Sequence, residues 1–330
     1  MSGMDLPPHE AEPRSVLVDT DTGIDDALAL LTVLSASNTD VIGVGTVFGN
    51  CNEHQAARNA LTVLAAAGRT DIPVCVGSSR PGPPPAAPSP HGADGLGDRG
   101  LAPPAGQHPS SESAVDQILR IARDLPGRVD LLCLAPLTNI AAALAHDPLV
   151  LTQFKTVTIM GGMGMAARCN DVARILPKFL VKGDTNTNHD PEAAARVAAA
   201  PGPVTWVGMD VTGRLQLPWA ELETMADHTT ISRFVHTITS DYHAYCTRTY
   251  DTEQPIYTSH DSVAATVMLD PDVVVAAADA VGHVAFGEDG RASLWGHAVG
   301  PGQPVAAHRV VTSIDYDAVR QRITRTLATP

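Results

Sequence analysis

Aromatic residues are scarce: Phe, Trp and Tyr make up 4 % of the 330 residues, so a core has to be packed mainly from Ala, Val, Leu and Ile. Cysteine is scarce too. The five present, Cys51, Cys75, Cys133, Cys169 and Cys246, are odd in number and widely spaced, with no C-x-x-C pair. That pattern excludes a disulfide framework and a thiolate zinc site, and fits reduced thiols in a cytoplasmic protein. Basic residues are few: 22 Lys and Arg stand against 36 Asp and Glu, a formal net charge of −14. Nucleic acid is excluded as a partner, because phosphate contacts need clustered cations. No apolar run reaches the roughly 18 residues of a membrane helix. Residues 1–14 are polar and Pro-containing, without the basic start and apolar core of a secretory signal.

What is present is length and apolar content: 44 % of the chain is hydrophobic. This is enough for one large domain over residues 15–330, preceded by a loosely ordered tail over 1–14. The first half alternates strand-like and helix-like patterns. Strands are expected at 15–18, 41–47, 73–76, 129–134, 156–160 and 204–207, and helices at 24–35, 52–67, 113–124, 137–145 and 191–200. Such alternation predicts an α/β fold with a mostly parallel central sheet flanked by helices. Ligands of such sheets sit beyond the carboxyl ends of the strands. Further on, 219–250 reads as two helices, 260–268 as a third, 273–297 as a small C-terminal β-hairpin around Glu288-Asp289-Gly290, and 315–327 as a closing helix. Two stretches, 79–111 and 161–188, are too long for ordinary connectors.

The chemistry is concentrated after the first strand, in Asp19-Thr20-Asp21-Thr22-Gly23-Ile24-Asp25-Asp26. Four carboxylates in eight residues repel one another unless a cation neutralises them, and a hard cation with oxygen ligands is the simplest answer. Helix capping explains one or two of these acids, but not Asp19 and Asp21 at the strand end. An EF-hand is excluded: its glycine is the sixth loop residue, and Gly23 is fifth from Asp19. Haloacid-dehalogenase phosphatases also end a first strand in Asp-x-Asp. Their pattern wants Thr or Val where this chain has Gly23, and they do not require Asp25-Asp26. Elsewhere, His260-Asp261 opens a helix and offers an acid/base group beside a carboxylate. Asn50 follows the second strand. The run 183–192 carries more hydrogen-bonding groups than a turn needs, which suits a sugar, with Asp190 read as a cap ahead of Pro191.

Taken in order, these blocks resemble the inosine-uridine-preferring nucleoside hydrolase family over about residues 15–312. Asp19 to Asp26 matches its Asp-x-Asp-x-Gly-x-Asp-Asp fingerprint, and the residues 46–50, 91–97, 137–139, 160–162, 184–192 and 260–261 follow in register. The resemblance implies a Rossmann-like domain that hydrolyses the N-glycosidic bond of ribonucleosides in purine or pyrimidine salvage. Asp21 would be both general base and ligand to Ca2+, with Asp26 and Asp261 as carboxylate ligands and Thr138 as a backbone ligand. Asp25, Asn50, Asp184 and Asn186 would hold the ribose, Met160 would line its pocket, and His91 would form a wall. His260 would protonate the leaving base. Asp184 stands where the family commonly has the longer Glu. A further ribose-binding Asn has Asn170 as its candidate. A small-molecule nucleoside is the implied partner, and a homodimer or homotetramer the implied assembly. The alternatives are a phosphatase of the kind above, or a nucleoside- or ribose-binding protein without turnover.

Overall fold

The computed structural model describes residues 13–81, 89–165, 184–299 and 307–329. Its centre is a nine-stranded sheet. The strands are β1 (Arg14–Thr20), β2 (Thr39–Thr46), β3 (Val74–Val76), β4 (Val129–Cys133), β5 (Thr156–Met160), β6 (Val204–Val207), β9 (Val274–Phe286), β10 (Ala292–Ala298) and β11 (His308–Ile314). Their spatial order is β10-β9-β11-β6-β5-β4-β1-β2-β3. From β3 to β11 every neighbour pair is parallel; β9 runs antiparallel to β11, and β10 to β9. A separate two-stranded ribbon joins β7 (Leu217–Pro218) to β8 (Ile256–Tyr257).

The run β3-β2-β1-β4-β5-β6 is the doubly wound order, in which the chain reverses direction across the sheet between β1 and β4. Both faces are covered, which is why these strands read as nearly unbroken apolar runs. The side-chain alternation of a strand divides them between two cores. Val16, Val18, Leu132 and Leu134 pack on one face; Leu17, Leu131 and Cys133 pack on the other. The first face is closed by α1 (Ile24–Leu34), α2 (Glu53–Ala66), α9 (Thr230–Thr239), α11 (His260–Leu269) and α12 (Tyr316–Leu327). The second is closed by α3 (Ala114–Asp124), α4 (Thr138–His146) and α6 (Pro191–Ala198). Among the described residues no helix is long and apolar enough to cross a membrane.

Four expectations need correcting. Arg14, assigned to the tail, is the first residue of β1, pairs with Thr39 and holds Asp130 at 2.9 Å. The hairpin is no small appendage: β11, which was not foreseen, inserts between β6 and β9 and makes the hairpin the margin of the main sheet. Residues 219–250 form three helices, α8 (Trp219–Met225), α9 and α10 (Tyr242–Tyr250), because Thr229 caps a new helix start through the Ser232 N–H. The polar run before Pro191 is itself helical over α5 (Thr185–His189), capped by Asp184, and Asp190 caps α6 as foreseen. The 79–111 and 161–188 stretches each fall partly outside the described residues, and Asn170 lies outside them altogether.

Candidate active site

The carboxyl ends of β1, β2, β4 and β5 meet at the switch point, and a cavity of about 200 Å³ opens above them. The β1–α1 turn is tight. Thr22 has φ +34°, an uncommon value for a β-branched residue, and its carbonyl is held at 3.0 Å by Nδ2 of the buried Asn59. The turn delivers Asp21, Asp25 and Asp26 to one place; Asp25, the most open of the three, is 7 % exposed. Asp261 arrives from the first turn of α11, which packs against α1. One carboxylate oxygen from each of Asp25, Asp26 and Asp261 lies within 4.8 Å of the others.

Neutral donors ring these acids. The Asn50 backbone N–H donates to Asp21 Oδ2 at 2.7 Å, and its Nδ2 lies 3.0 Å from Asp21 Oδ1 and 3.1 Å from Asp26 Oδ2. Asp26 also accepts from Thr20 Oγ1 at 2.5 Å and from the Gly23 N–H at 3.0 Å. The approach of Asn50 depends on Gly49, where a Cβ would fall 1.7 Å from Asp21 Oδ2. These donors do not supply a full countercharge. Burial, reinforced by Asp26, holds the Asp21 carboxyl well above the ordinary carboxylate range. Burial and the three neighbouring acids do the same to Asp261. Below them Asp19, 1 % exposed, takes one hydrogen bond from Asn139 at 2.7 Å, and its other oxygen has no partner; burial pushes it to about 7. A donor set made wholly of oxygen, crowded with buried like charges, fits a hard divalent cation.

The walls follow from the remaining elements. Asn50, His91, Met160, Asp184, Asn186 and His260 all line the cavity with Asp25 and Asp261, while Asp21 and Asp26 lie behind, joined to it through Asn50. Asp184 Oδ1 caps α5 at 2.7 Å from the Thr187 N–H, and its buried Oδ2 has no partner. Asn186 Nδ2 lies 2.9 Å from the Leu134 carbonyl and 3.3 Å from that of Met160. The Ile24 N–H donates to His91 Nδ1 at 3.0 Å. That nitrogen is therefore unprotonated, burial holds the ring down to about 4, and its 3.8 Å approach to Asp25 is not an ion pair. His260, also lowered by burial, has its Nδ1 2.9 Å from Thr212 Oγ1.

Thr138 is the residue that the structure does not bring to the cavity. It is the first residue of α4, so its carbonyl points along that helix, and its hydroxyl donates to Asp190 at 2.6 Å. The carbonyl beyond β4 that faces the cavity wall belongs to Leu134. Sequence reasoning also missed the α10 wall, Tyr242, Tyr245, Cys246, Thr249 and Tyr250, in which Tyr242 lies against His91 with ring centroids 5.2 Å apart. A signal existed: three of the chain's five tyrosines fall within these nine residues. Arg291, at the turn between β9 and β10, is the one Lys or Arg among the described lining residues, and it too went unnoticed.

The profile of the inosine-uridine preferring nucleoside hydrolases matches residues 16–321. The chain belongs to that family. It is 31 % identical over 275 residues to a probable uridine nucleosidase 2 of Oryza sativa subsp. japonica, covering 82 % of this chain and 77 % of that one. It is 36 % identical over 207 residues to uridine nucleosidase 1 of Arabidopsis thaliana, covering 62 % and 59 %. Among solved structures, the plant nucleoside hydrolase PpNRh1 superposes with a TM-score of 0.83 at 26 % identity over 96 % of this chain and 100 % of its own. A purine-preferring ribonucleoside hydrolase from Gardnerella vaginalis gives 0.83 at 25 % identity over 96 % and 98 %. The family's reaction, hydrolysis of ribonucleosides at the N-glycosidic bond, is this chain's reaction class, and it fits the chain better than the phosphatase alternative.

Proposed function

We propose that the enzyme cleaves ribonucleosides, uridine among them, with Ca2+ held by Asp21, Asp26 and Asp261, and that Asp21 is the general base. The observation that carries this reading is the convergence of the first-loop acids with Asp261, from the far end of the chain, under one cavity. Three carboxylates gathered in one protein cage suit Ca2+, which takes six to eight oxygens, better than Mg2+, which usually keeps several waters and one or two carboxylates. Asp25 joins the acids geometrically as well as facing the cavity, so it stands at the junction of ion and sugar. For the backbone ligand we propose the Leu134 carbonyl in place of Thr138. An ion held there would supply positive charge that offsets the acids and would polarise a water. Asp21 accepts that water's proton as the water attacks the anomeric carbon. Asp25, Asn50, Asp184 and Asn186 orient the ribose hydroxyls, and Met160 and His91 close the pocket. The negative charge of the Asp25 and Asp184 carboxylates favours an oxocarbenium-like transition state. His260, on the α10–α11 side with Tyr242 and Tyr250, stands by the leaving base. A single displacement inverts the anomeric centre.

A reducing-sugar assay across uridine, inosine and the corresponding nucleotides, with and without chelator, tests this directly. Ribose release that chelation abolishes and Ca2+ restores is expected. No ribose from any nucleoside would leave a binding protein, and full activity after chelation would remove the ion from the chemistry. We place the enzyme in the cytoplasm, in nucleoside salvage, as a single domain that assembles as a homodimer or homotetramer; gel filtration with light scattering checks the last point.

A further inference from the structure

Helix α1 begins at the acids and ends, at Leu34, beside a second cavity of about 220 Å³ that opens where α1 and α12 finish. Ser35, Ser37 and Asn38 line one side, and Arg322, Arg325 and Thr329 the other, with no Asp or Glu among the described lining residues. In a chain of net charge −14 this is an unusual gathering. Among the described residues neither guanidinium forms an ion pair: Arg325 donates only to the Gln321 carbonyl of its own helix, at 3.3 Å. Arg14 stands nearby but is committed to Asp130 at 2.9 Å. Burial, aided by the charges of Arg325 and Arg14, holds Arg322 below its ordinary value against the pull of Asp270. Arg322 is half-buried and Arg325 exposed, so two like charges share one rim with no acid lining it, and an anion between them would relieve their repulsion.

We propose that this cavity is a binding site for a phosphate group, gripped by Arg322 and Arg325 and completed by the donors of Ser37 and Asn38. The planar guanidinium fork matches a tetrahedral oxyanion in bidentate fashion. At about 220 Å³ the space admits such an anion together with waters. Inorganic phosphate and a small phosphate monoester share this chemistry.

Calorimetric titration of the metal-loaded enzyme at constant ionic strength decides the matter, with orthophosphate in one arm and ribose 5-phosphate in the other. The expected result is saturable binding of one equivalent, weakened at least about tenfold in R322A/R325A and in S37E, which places an acid in the cavity from an exposed position. Melting temperature and nucleoside hydrolysis stay at wild-type levels in both variants, since none of these residues touches the catalytic cavity. The tighter of the two titrations names the source of the phosphate. Absence of saturable binding, affinity no better than for chloride (an adventitious ion only), or binding that survives both variants because it resides at the acid cluster, each overturns the proposal.

Discussion

Asp21 shows most clearly what a single position contributes. Both its oxygens are already hydrogen-bonded to Asn50, at 2.7 and 3.0 Å, so its geometry does not depend on charge alone. Asp21→Asn keeps the side chain's size and one oxygen to accept from the Asn50 N–H, gives up the second acceptor, and removes the proposed base. We expect kcat to fall about 10²- to 10⁴-fold, the usual worth of a positioned proton acceptor, with the circular dichroism spectrum unchanged. Turnover near wild type would reassign the base. His260 is subtler. Burial holds its imidazole below its ordinary value, so in the proposed mechanism it would assist the leaving base through a ring N–H rather than as a standing cation. His260→Ala should then cost far more on uridine than on p-nitrophenyl riboside, whose leaving group needs no proton. Equal losses on both would remove it from proton transfer. At this scale the contiguous acids were plain in the sequence, because nothing structural requires four carboxylates in eight residues. Thr138 was misread for a complementary reason: every residue has a carbonyl, and only the start of α4 decides which of them still faces the site.

At the level of elements, the site exists because four strand ends are brought close and two turns are shaped to match. Gly49 is the tightest of these fits. With a Cβ there only 1.7 Å from Asp21 Oδ2, the β2–α2 turn would have to withdraw and take Asn50 with it. Gly49→Ala should lower metal affinity about 10- to 100-fold, as expected when a group that orients a ligand is displaced. Calcium titration followed by the shift in melting temperature measures this, and unchanged affinity would show that Asn50 is dispensable to the acids. The alternating strands and helices of the first half were legible because both faces of the sheet are buried and each strand ends in a turn. β11 was not. It precedes the closing helix with no strand–helix–strand rhythm around it, and its partners β6 and β9 are distant in sequence. The α10 wall was lost because three helices in 219–250 were read as two, and a short helix presenting tyrosines to a cavity has the same periodicity as one presenting them to a core.

For the whole molecule, the buried acids are a liability that a bound divalent ion would convert into an asset, and the balance depends on pH. Asp19, Asp21, Asp25, Asp26, Asp184 and Asp261 all have folded values raised by burial. A carboxyl whose folded value is raised favours the fold while it is protonated. That contribution is complete below the unfolded value of about 3.9 and is lost as pH rises through the folded value, about 7 for Asp19. The metal-free enzyme should thus lose stability steadily as pH climbs from about 4 to about 7. The proposed Ca2+ would work in the opposite direction, because ligation needs the ionised acids and so strengthens as they deprotonate. Free ion at about 100 times its Kd stabilises by about 2.7 kcal/mol, enough to move the melting temperature by several degrees. The gap in melting temperature between Ca2+-loaded and chelated enzyme should therefore widen across that pH range. A gap that stayed flat or narrowed would mean that the cation does not sit among these carboxylates, and the mechanism built on them would have to be abandoned even if the enzyme still hydrolysed nucleosides.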